Sequence, residues 1–130
     1  MSQATTRPTR LTRLLPAALA ALLLCGAAHA ADAVMKKDGI LVNAAGMTVY
    51  TFDKDVAASG KSACNGPCAD NWPAVPAPAE VAAPYSVLTR DDGAKQLAYQ
   101  GKPLYLYQAD QKPGERHGDN FKNLWHVVKD

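Results

Sequence analysis

The chain carries one short aromatic pattern twice: residues 46–55 read GMTVYTFDKD, and residues 101–110 read GKPLYLYQAD. Glycine, tyrosine and aspartate are identical in the two segments, which lie 55 residues apart. A tryptophan follows the first tyrosine by 22 residues and the second by 20. Because self-similarity at a fixed spacing is the signature of a repeated unit, the pattern predicts two copies of one β-hairpin unit, each closed by a tryptophan.

The shared motif is Tyr-x-aromatic-x-x-Asp, and its two aromatic positions stand two residues apart. Residues at that spacing share one face of a strand, so Tyr50 pairs with Phe52, and Tyr105 pairs with Tyr107. We expect the four rings to stack in a common core, where each ring contributes a large buried area. The motif residues predicted to be structural or ligand-binding are Tyr50, Phe52, Asp55, Tyr105, Tyr107 and Asp110, together with Trp72 and Trp125.

Asp55 and Asp110 fall just past the ends of the two motif strands. At such a position a carboxylate can accept backbone N–H bonds from the following loop, or a bond from a tyrosine hydroxyl. The alternative is that the tyrosines and aspartates of both copies converge on a ligand. The strand geometry favours the structural interpretation, since it already gives each ring a place in a core.

Nine prolines and nine glycines interrupt the chain, and brief runs of alternating, β-branched or aromatic residues lie between them. This pattern is typical of short strands joined by tight turns, which form antiparallel meanders. We predict a small all-β, mainly antiparallel domain with one short helical turn over residues 68–72. Residues 73–84 are expected to run as an extended connector across the surface. The predicted strands are residues 39–43, 47–52, 85–89, 95–99, 103–107 and 124–128, with turns at 43–46, 91–93 and 100–102.

The amino-terminal segment has the layout of a cleavable signal peptide. Residues 1–13 carry three arginines and no acid, residues 14–28 are almost purely apolar, and Ala28-His29-Ala30 follows. This order of regions predicts secretory export with cleavage after Ala30. The apolar stretch is shorter than the roughly 20 residues that a membrane-spanning helix needs. Lipid attachment at Cys25 is not expected, because a large residue precedes it.

Cleavage would divide the chain into a signal peptide (residues 1–30), a short flexible tail (31–38) and one β domain (39–130), with copies over 39–75 and 86–128. The full chain has 14 basic and 12 acidic residues; without the three signal arginines, 11 basic residues remain and the net charge changes from +2 to −1. Such a balance gives no support for nucleic-acid binding. The expected partner is a protein, an envelope component or a small ligand, and no membrane span remains in the mature form.

Two cysteines remain after cleavage, Cys64 and Cys68, and Asn-Gly-Pro separates them. In an oxidising compartment two nearby cysteines are most simply a disulfide, and the intervening turn residues can bring their Cβ atoms within range. Closing so short a loop stabilises the fold by about 2 kcal/mol on a chain-entropy estimate. The alternative is a redox-active dithiol, but such motifs usually have two intervening residues, so we expect a structural disulfide.

Several motifs in a fixed order now resemble a known family. They are residues 46–55, the cysteine turn with Asn71-Trp72-Pro73, and residues 89–93, 99–105 and 125–128. Over residues 39–128 the chain resembles the bacterial "secreted repeat of unknown function" family, whose members are also described as predicted lipoproteins with a Yx(FWY)xxD motif. The resemblance implies an exported repeat domain without an established activity. The chain departs from the family in lacking a lipid-attachment sequence.

The candidate metal ligands of the mature chain are its two histidines, His117 and His126. A metal site needs three or four converging ligands, and His117 with Glu115 or Asp119 is the only local cluster in the sequence. Such loop residues are usually solvated, so no metal or cofactor is predicted.

Motifs for catalysis are missing from the sequence, which has no nucleophile elbow, glycine-rich phosphate loop or haem-attachment motif. An enzyme is therefore not predicted. The first hypothesis is an exported, non-enzymatic binding or envelope-associated domain. The second is a redox- or metal-associated periplasmic protein that uses the Cys64/Cys68 pair or His117/His126.

Overall fold

The structure, a computed structural model, describes residues 33–129. The predicted signal peptide, its cleavage after Ala30 and the cysteine at position 25 lie outside the described residues. Within residues 33–129, no helix has the length and apolar character that crossing a membrane requires.

Short antiparallel strands dominate the described part of the chain, with one five-residue helix and one 3₁₀ turn. The prediction of a small, mainly antiparallel all-β domain is therefore confirmed. The strands are β1 (Val34–Lys37), β2 (Ile40–Asn43), β3 (Tyr50–Phe52), β4 (Tyr85–Thr89), β5 (Lys95–Tyr99), β6 (Lys102–Pro103) and β7 (Trp125–Val127); helix α1 is Pro67–Asn71 and the 3₁₀ turn is Phe121–Asn123.

Strand pairing builds three small antiparallel sheets. They are β1–β2, β3–β7 and β4–β5–β6. Single residue-pair bridges connect them, among them Tyr50 to Tyr105 and Ala74 to Tyr105. The four segments around the motif strands therefore run side by side in the order β7, β3, residues 104–106 and residues 73–76.

Tight turns join neighbouring strands where the sequence predicted them. The two residues between β5 and β6, Gln100 and Gly101, both have positive φ, at 50° and 78°. This backbone matches the right-handed twist of a hairpin, and glycine adopts it without cost. At the turn predicted over residues 91–93, the Gly93 amide donates to the Arg90 carbonyl at 2.9 Å.

The segment predicted as a short flexible tail (31–38) is in part a strand, and that prediction is wrong for residues 34–37. These residues form β1, which pairs with β2 through Val34 to Asn43 at one end and Lys37 to Ile40 at the other. Val34 is fully buried. The missed signal is Asp38-Gly39, a dipeptide typical of two-residue hairpin turns, and both residues have positive φ here.

Residues 73–84 do not simply cross the surface as predicted. Val75 is buried, its amide donates to the Leu104 carbonyl at 3.0 Å, and its carbonyl accepts the Leu97 amide at 2.9 Å. The segment after Trp72 of copy one therefore pairs with the motif segment of copy two, and the strand of Trp125 of copy two pairs with the motif strand of copy one. The prediction that each tryptophan closes its own copy is wrong in this respect.

Two cores lie on opposite faces of the central strands. One is aromatic and contains Tyr50 and Tyr105, and the other is aliphatic and contains Val49 and Leu104. Because side chains alternate along a strand, neighbouring motif residues enter different cores. The predicted placement of the four motif rings on one side is confirmed, since Phe52 and Tyr107 pack against the aromatic core.

Candidate functional site

The two motif tyrosines lie opposite each other at the centre of the molecule. The Tyr50 amide donates to the Tyr105 carbonyl at 2.8 Å, and the Tyr105 amide donates to the Tyr50 carbonyl at 2.9 Å. Both side chains are fully buried. Because this bridge joins equivalent residues of the two copies, the copies are related by an approximate twofold axis at this point.

The first tyrosine–aspartate pair joins Tyr50 of copy one to Asp110 of copy two. The Tyr50 hydroxyl donates to Asp110 Oδ2 at 2.5 Å, and both residues are buried. Asp110 Oδ1 accepts the backbone amide of His117 at 3.0 Å, and the Gly118 amide donates to the Tyr50 hydroxyl at 3.2 Å. The carboxylate therefore holds the loop that follows it against the core.

The second tyrosine–aspartate pair joins Tyr105 of copy two to Asp55 of copy one. The Tyr105 hydroxyl donates to Asp55 Oδ2 at 2.6 Å, and Asp55 Oδ1 accepts the Ala63 amide at 2.6 Å. The Ser62 hydroxyl also lies 2.6 Å from the Tyr105 hydroxyl. Both aspartates thus make the two kinds of hydrogen bond that the sequence suggested, and each does so with the tyrosine of the other copy.

A buried arginine lies beside the second pair, and it is not among the site residues predicted from the sequence. Arg90 donates to Ser62 Oγ at 3.0 Å and to Gln96 Oε1 at 2.6 Å, and it also donates to the Cys64 carbonyl. Gln96 is itself fully buried and donates to the Leu104 carbonyl. Arginine between a strand and a turn is ordinarily exposed, so the sequence carried no signal of this network.

Burial controls the acid–base behaviour of both pairs. Desolvation raises the pKa of Tyr50 and of Tyr105 well above the ordinary tyrosine value, and the hydrogen-bonded aspartate raises each pKa further. Both hydroxyls consequently keep their protons and act as donors at neutral pH. Burial also raises the pKa of the Asp55 carboxyl, while the bonds from Tyr105 and Ala63 and the charge of Arg90 oppose that rise.

Four stacked rings form a column beside the tyrosine pairs, and its members alternate between the copies. Phe52 stacks on Trp125 at 4.2 Å, Trp125 on Trp72 at 3.8 Å, and Trp72 on Tyr107 at 4.0 Å between ring centroids. The tryptophans are the central rings, and both are buried. Tyr50 meets the edge of Trp72 at a centroid distance of 5.5 Å.

The predicted disulfide is confirmed, with Cys64 and Cys68 joined at an S–S distance of 2.09 Å. Helix α1 begins at Pro67, whose fixed φ suits a first helical position, and ends at Asn71, so it includes the predicted helical turn except for Trp72. Cys64 is fully buried in the aromatic core, so the bridge fixes the turn that precedes Trp72 and thereby helps to position Trp72 in the ring column.

An aromatic groove of about 360 Å³ runs along the ring column. Next to it, three non-glycine residues adopt positive φ: Asn120 at 61°, Lys122 at 51° and Asn123 at 56°. Such backbone is strained and often lies at ligand-binding segments. The residues lining the groove are Phe52, Cys68, Asn71, Trp72, Tyr107, Phe121, Lys122, Leu124 and Trp125.

The two candidate metal ligands lie in different surroundings. His126 Nε2 lies 2.8 Å from Asp53 Oδ2, and its Nδ1 lies 3.1 Å from Asn120 Oδ1. His117 Nε2 lies 2.5 Å from Glu115 Oε2. Within residues 33–129, one group of three ligand-type side chains has its ligand atoms all within 4.8 Å of one another, namely Asp110, Glu115 and His117. The structure therefore does not bring the two histidines into one such group.

Comparison with known proteins gives one family. A family profile described as a secreted repeat of unknown function matches residues 32–76 and again residues 86–129. The chain belongs to this family. Neither the comparison with curated proteins nor the comparison with solved structures finds a match.

The two matched segments of this secreted repeat correspond to the two copies of the motif. Each copy supplies one tyrosine and one aspartate, and the crossed pairs take one residue from each segment. In this secreted repeat the buried hydrogen bonds and the ring column therefore form only when both copies are present.

Proposed function

We propose that this protein is exported to the periplasm or the cell exterior, with its signal removed after Ala30, and that it is a non-enzymatic binding protein. The secreted character of the family and the amino-terminal sequence pattern support export. The aromatic groove is the surface that we assign to ligand binding.

The tyrosine–aspartate pairs are better suited to holding the fold than to meeting a ligand. Both carboxylate oxygens of each aspartate already accept a hydrogen bond from within the protein. Within residues 33–129, every buried side-chain nitrogen and oxygen has a hydrogen-bond partner. An organic ligand that needs these hydroxyls or loop amides would therefore have to break bonds that the fold has already made, although a carboxylate oxygen with one hydrogen bond keeps a second lone pair.

The groove, in contrast, offers apolar ring surface together with one positive charge. The observation that carries the proposal is this combination: Lys122 is the one charged residue among the lining side chains, and strained backbone holds it next to Phe121. Ligand pockets are commonly apolar clefts of about 300–1,000 Å³ with a few polar groups that orient the ligand. A small, flat aromatic molecule with a negative charge matches this surface.

The test is a nuclear magnetic resonance titration of the exported, signal-cleaved protein with two probes of equal ring size. These probes are 2-naphthoate, which is anionic, and 2-naphthol, which is neutral at pH 7. We expect shifts at the indole N–H groups of Trp72 and Trp125 and at the amides of residues 120–124. The anion should bind about 2- to 5-fold more tightly, because an exposed ion pair contributes about 1 kcal/mol or less.

Lys122→Gln should remove the preference for the anion and leave the binding of 2-naphthol unchanged. The matched control is Lys102→Gln, which alters an exposed lysine at a different depression lined by Thr51 and His126. Shifts that map away from the groove, or an anion preference that persists in Lys122→Gln, would contradict the assignment. If the groove signals shift only when envelope fragments or a protein are added, the ligand of the groove is that partner and not a small molecule.

The second hypothesis keeps one test of its own. A redox role of Cys64 and Cys68 requires thiols that form and reoxidise, whereas the full burial of Cys64 in the aromatic core favours a structural bridge. The absorption spectrum, metal content and free-thiol count of the exported protein separate the hypotheses. A colourless, metal-free protein that has no free thiols even after treatment with a mild reductant would argue against a redox-active or permanently metallated protein.

A further inference from the structure

The loop that follows the motif of copy two gathers three side chains with metal-ligating atoms. Asp110, Glu115 and His117 each place one such atom within 4.8 Å of the other two. The three differ in exposure, because Asp110 is buried, Glu115 is partly buried, and the His117 side chain is 60% exposed. The group is therefore anchored in the protein at one end and open to solvent at the other.

Two hydrogen bonds to the backbone hold this loop in place without using the side chains of Glu115 and His117. The His117 amide donates to Asp110, and the Thr48 hydroxyl donates to the Glu115 carbonyl at 2.7 Å. The Asp110 carboxylate is fixed from its other side by Tyr50. A site whose ligands are held in advance loses less entropy on binding an ion.

The equivalent loop of copy one shows that the fold does not need the side chains of Glu115 and His117. There the amide that donates to Asp55 belongs to Ala63, in the place that His117 takes in copy two. An alanine meets the structural requirement, since only the backbone N–H takes part. The imidazole of His117 and the carboxylate of Glu115 are therefore additions to a framework that copy one builds without them.

We propose that Asp110, Glu115 and His117 form a three-ligand site for a borderline divalent transition-metal ion, of which Zn²⁺ is the representative. One imidazole nitrogen and two carboxylate oxygens are ligands that Zn²⁺ accepts, and three protein ligands leave a position for water or another molecule. Mg²⁺ and Ca²⁺ prefer all-oxygen coordination with more ligands, so they should bind here far more weakly. The site lies in the loop of copy two and does not include the groove residues.

The experiment is isothermal titration of the exported, metal-free protein with Zn²⁺ and, separately, with Mg²⁺. We expect one saturable Zn²⁺ site per chain and no comparable Mg²⁺ binding. His117→Ala and Glu115→Gln should each weaken Zn²⁺ binding by at least about 10-fold, the lower range seen even when outer-shell partners are removed. Neither side chain is buried, so both variants should fold, and unchanged circular dichroism checks this.

The matched control is His126→Ala, which removes a histidine that contacts Asp53 and Asn120 outside the group. Its Zn²⁺ affinity should equal that of the unmodified protein. Titration with Co²⁺ provides an independent readout, because the paramagnetic ion should shift the His117 ring signals and leave those of His126 in place. Absence of saturable Zn²⁺ binding, equal affinity in all variants, or loss of binding in His126→Ala would overturn the proposal.

Discussion

The two tyrosine–aspartate pairs share one geometry but differ in what surrounds them. Around Asp55 the chain places Ser62, a buried arginine and the disulfide turn. Around Asp110 it places backbone amides on the inside, together with the partly buried side chain of Glu115 and the exposed side chain of His117. The repeated motif therefore determines the hydrogen bond, and the residues that differ between the copies determine how each bond is supported.

This difference separates what the repeat requires from what one copy adds. Tyrosine, aspartate and a loop amide occur in both halves, so they are sufficient to close the core. Arg90 with its partners serves one half, and the candidate metal group serves the other. The halves should consequently fail in different ways when their shared residues are changed.

The largest effect is expected when the aspartates are removed one at a time. Asp110→Ala leaves the buried Tyr50 hydroxyl beside the Gly118 amide, which is also a donor, and should lower the free energy of unfolding by about 3 kcal/mol. Asp55→Ala leaves the Tyr105 hydroxyl beside Ser62 Oγ, which can accept a hydrogen bond from it, and should lower the free energy of unfolding by about 1.5 kcal/mol. Chemical denaturation measures both values.

Asp53→Ala is the control for these variants, since this exposed carboxylate pairs with His126 at the surface and not with a buried tyrosine. It should change the free energy of unfolding by less than about 1 kcal/mol. Equal losses for Asp55→Ala and Asp110→Ala would show that Ser62 does not substitute for the missing acceptor, and the distinction between the halves would then fail.

Removing the disulfide should affect one half only. Replacing both Cys64 and Cys68 by alanine should lower the free energy of unfolding by about 2 kcal/mol, because the unfolded chain gains the freedom of the opened loop. Since Ser62 lies two residues before the bridge, Asp55→Ala should cost more in this background, whereas the cost of Asp110→Ala should not change. One double-mutant cycle of four proteins for each aspartate measures the coupling by denaturation, and equal coupling to both aspartates would contradict the prediction.

Alkaline pH provides the most symmetrical test, and each variant here changes stability by the smallest amount for one unit of pH. The pKa of each motif tyrosine is raised in the folded protein, so the unfolded chain releases these protons first, near the ordinary value of 10.0. Stability should then fall as the pH rises above about 10, by about 1.4 kcal/mol per pH unit for each tyrosine. Tyr50→Phe and Tyr105→Phe should each reduce that slope by this amount, as followed by denaturation at several pH values. An unaltered slope would mean that the hydroxyl ionises without opening the core.

Much of the fold was predictable because it rests on local chemistry. The alternation around the motif tyrosines correctly assigned four rings to one core, and Asn-Gly-Pro correctly indicated a bridged turn at Cys64 and Cys68. Strands β4 and β5 were predicted at their observed bounds. Strand β1 was not predicted, although Asp38-Gly39 is typical of a hairpin turn at that position. The second copy contains the equivalent β4–β5 hairpin.

The candidate site was less accessible to sequence reasoning. Nothing local to Arg90 or Gln96 says that these polar side chains are buried, since burial depends on segments far away in the chain. The groove is likewise assembled from both copies, with Phe52 and Trp72 from one and Tyr107 and Trp125 from the other. Only the loop ligands Glu115 and His117 were close enough in sequence to be noticed together.

By itself the sequence determined that two copies of an aromatic hairpin unit exist, which faces of their strands are apolar, and where a short loop is bridged. Those properties follow from residue spacing and turn chemistry, which act over a few residues. Only the tertiary structure decided that the copies exchange partners, so that Tyr50 bonds Asp110 and Tyr105 bonds Asp55. The motif is the same in both copies, so the sequence allows pairing within or between them, and only the packing of the strands side by side decides between the two.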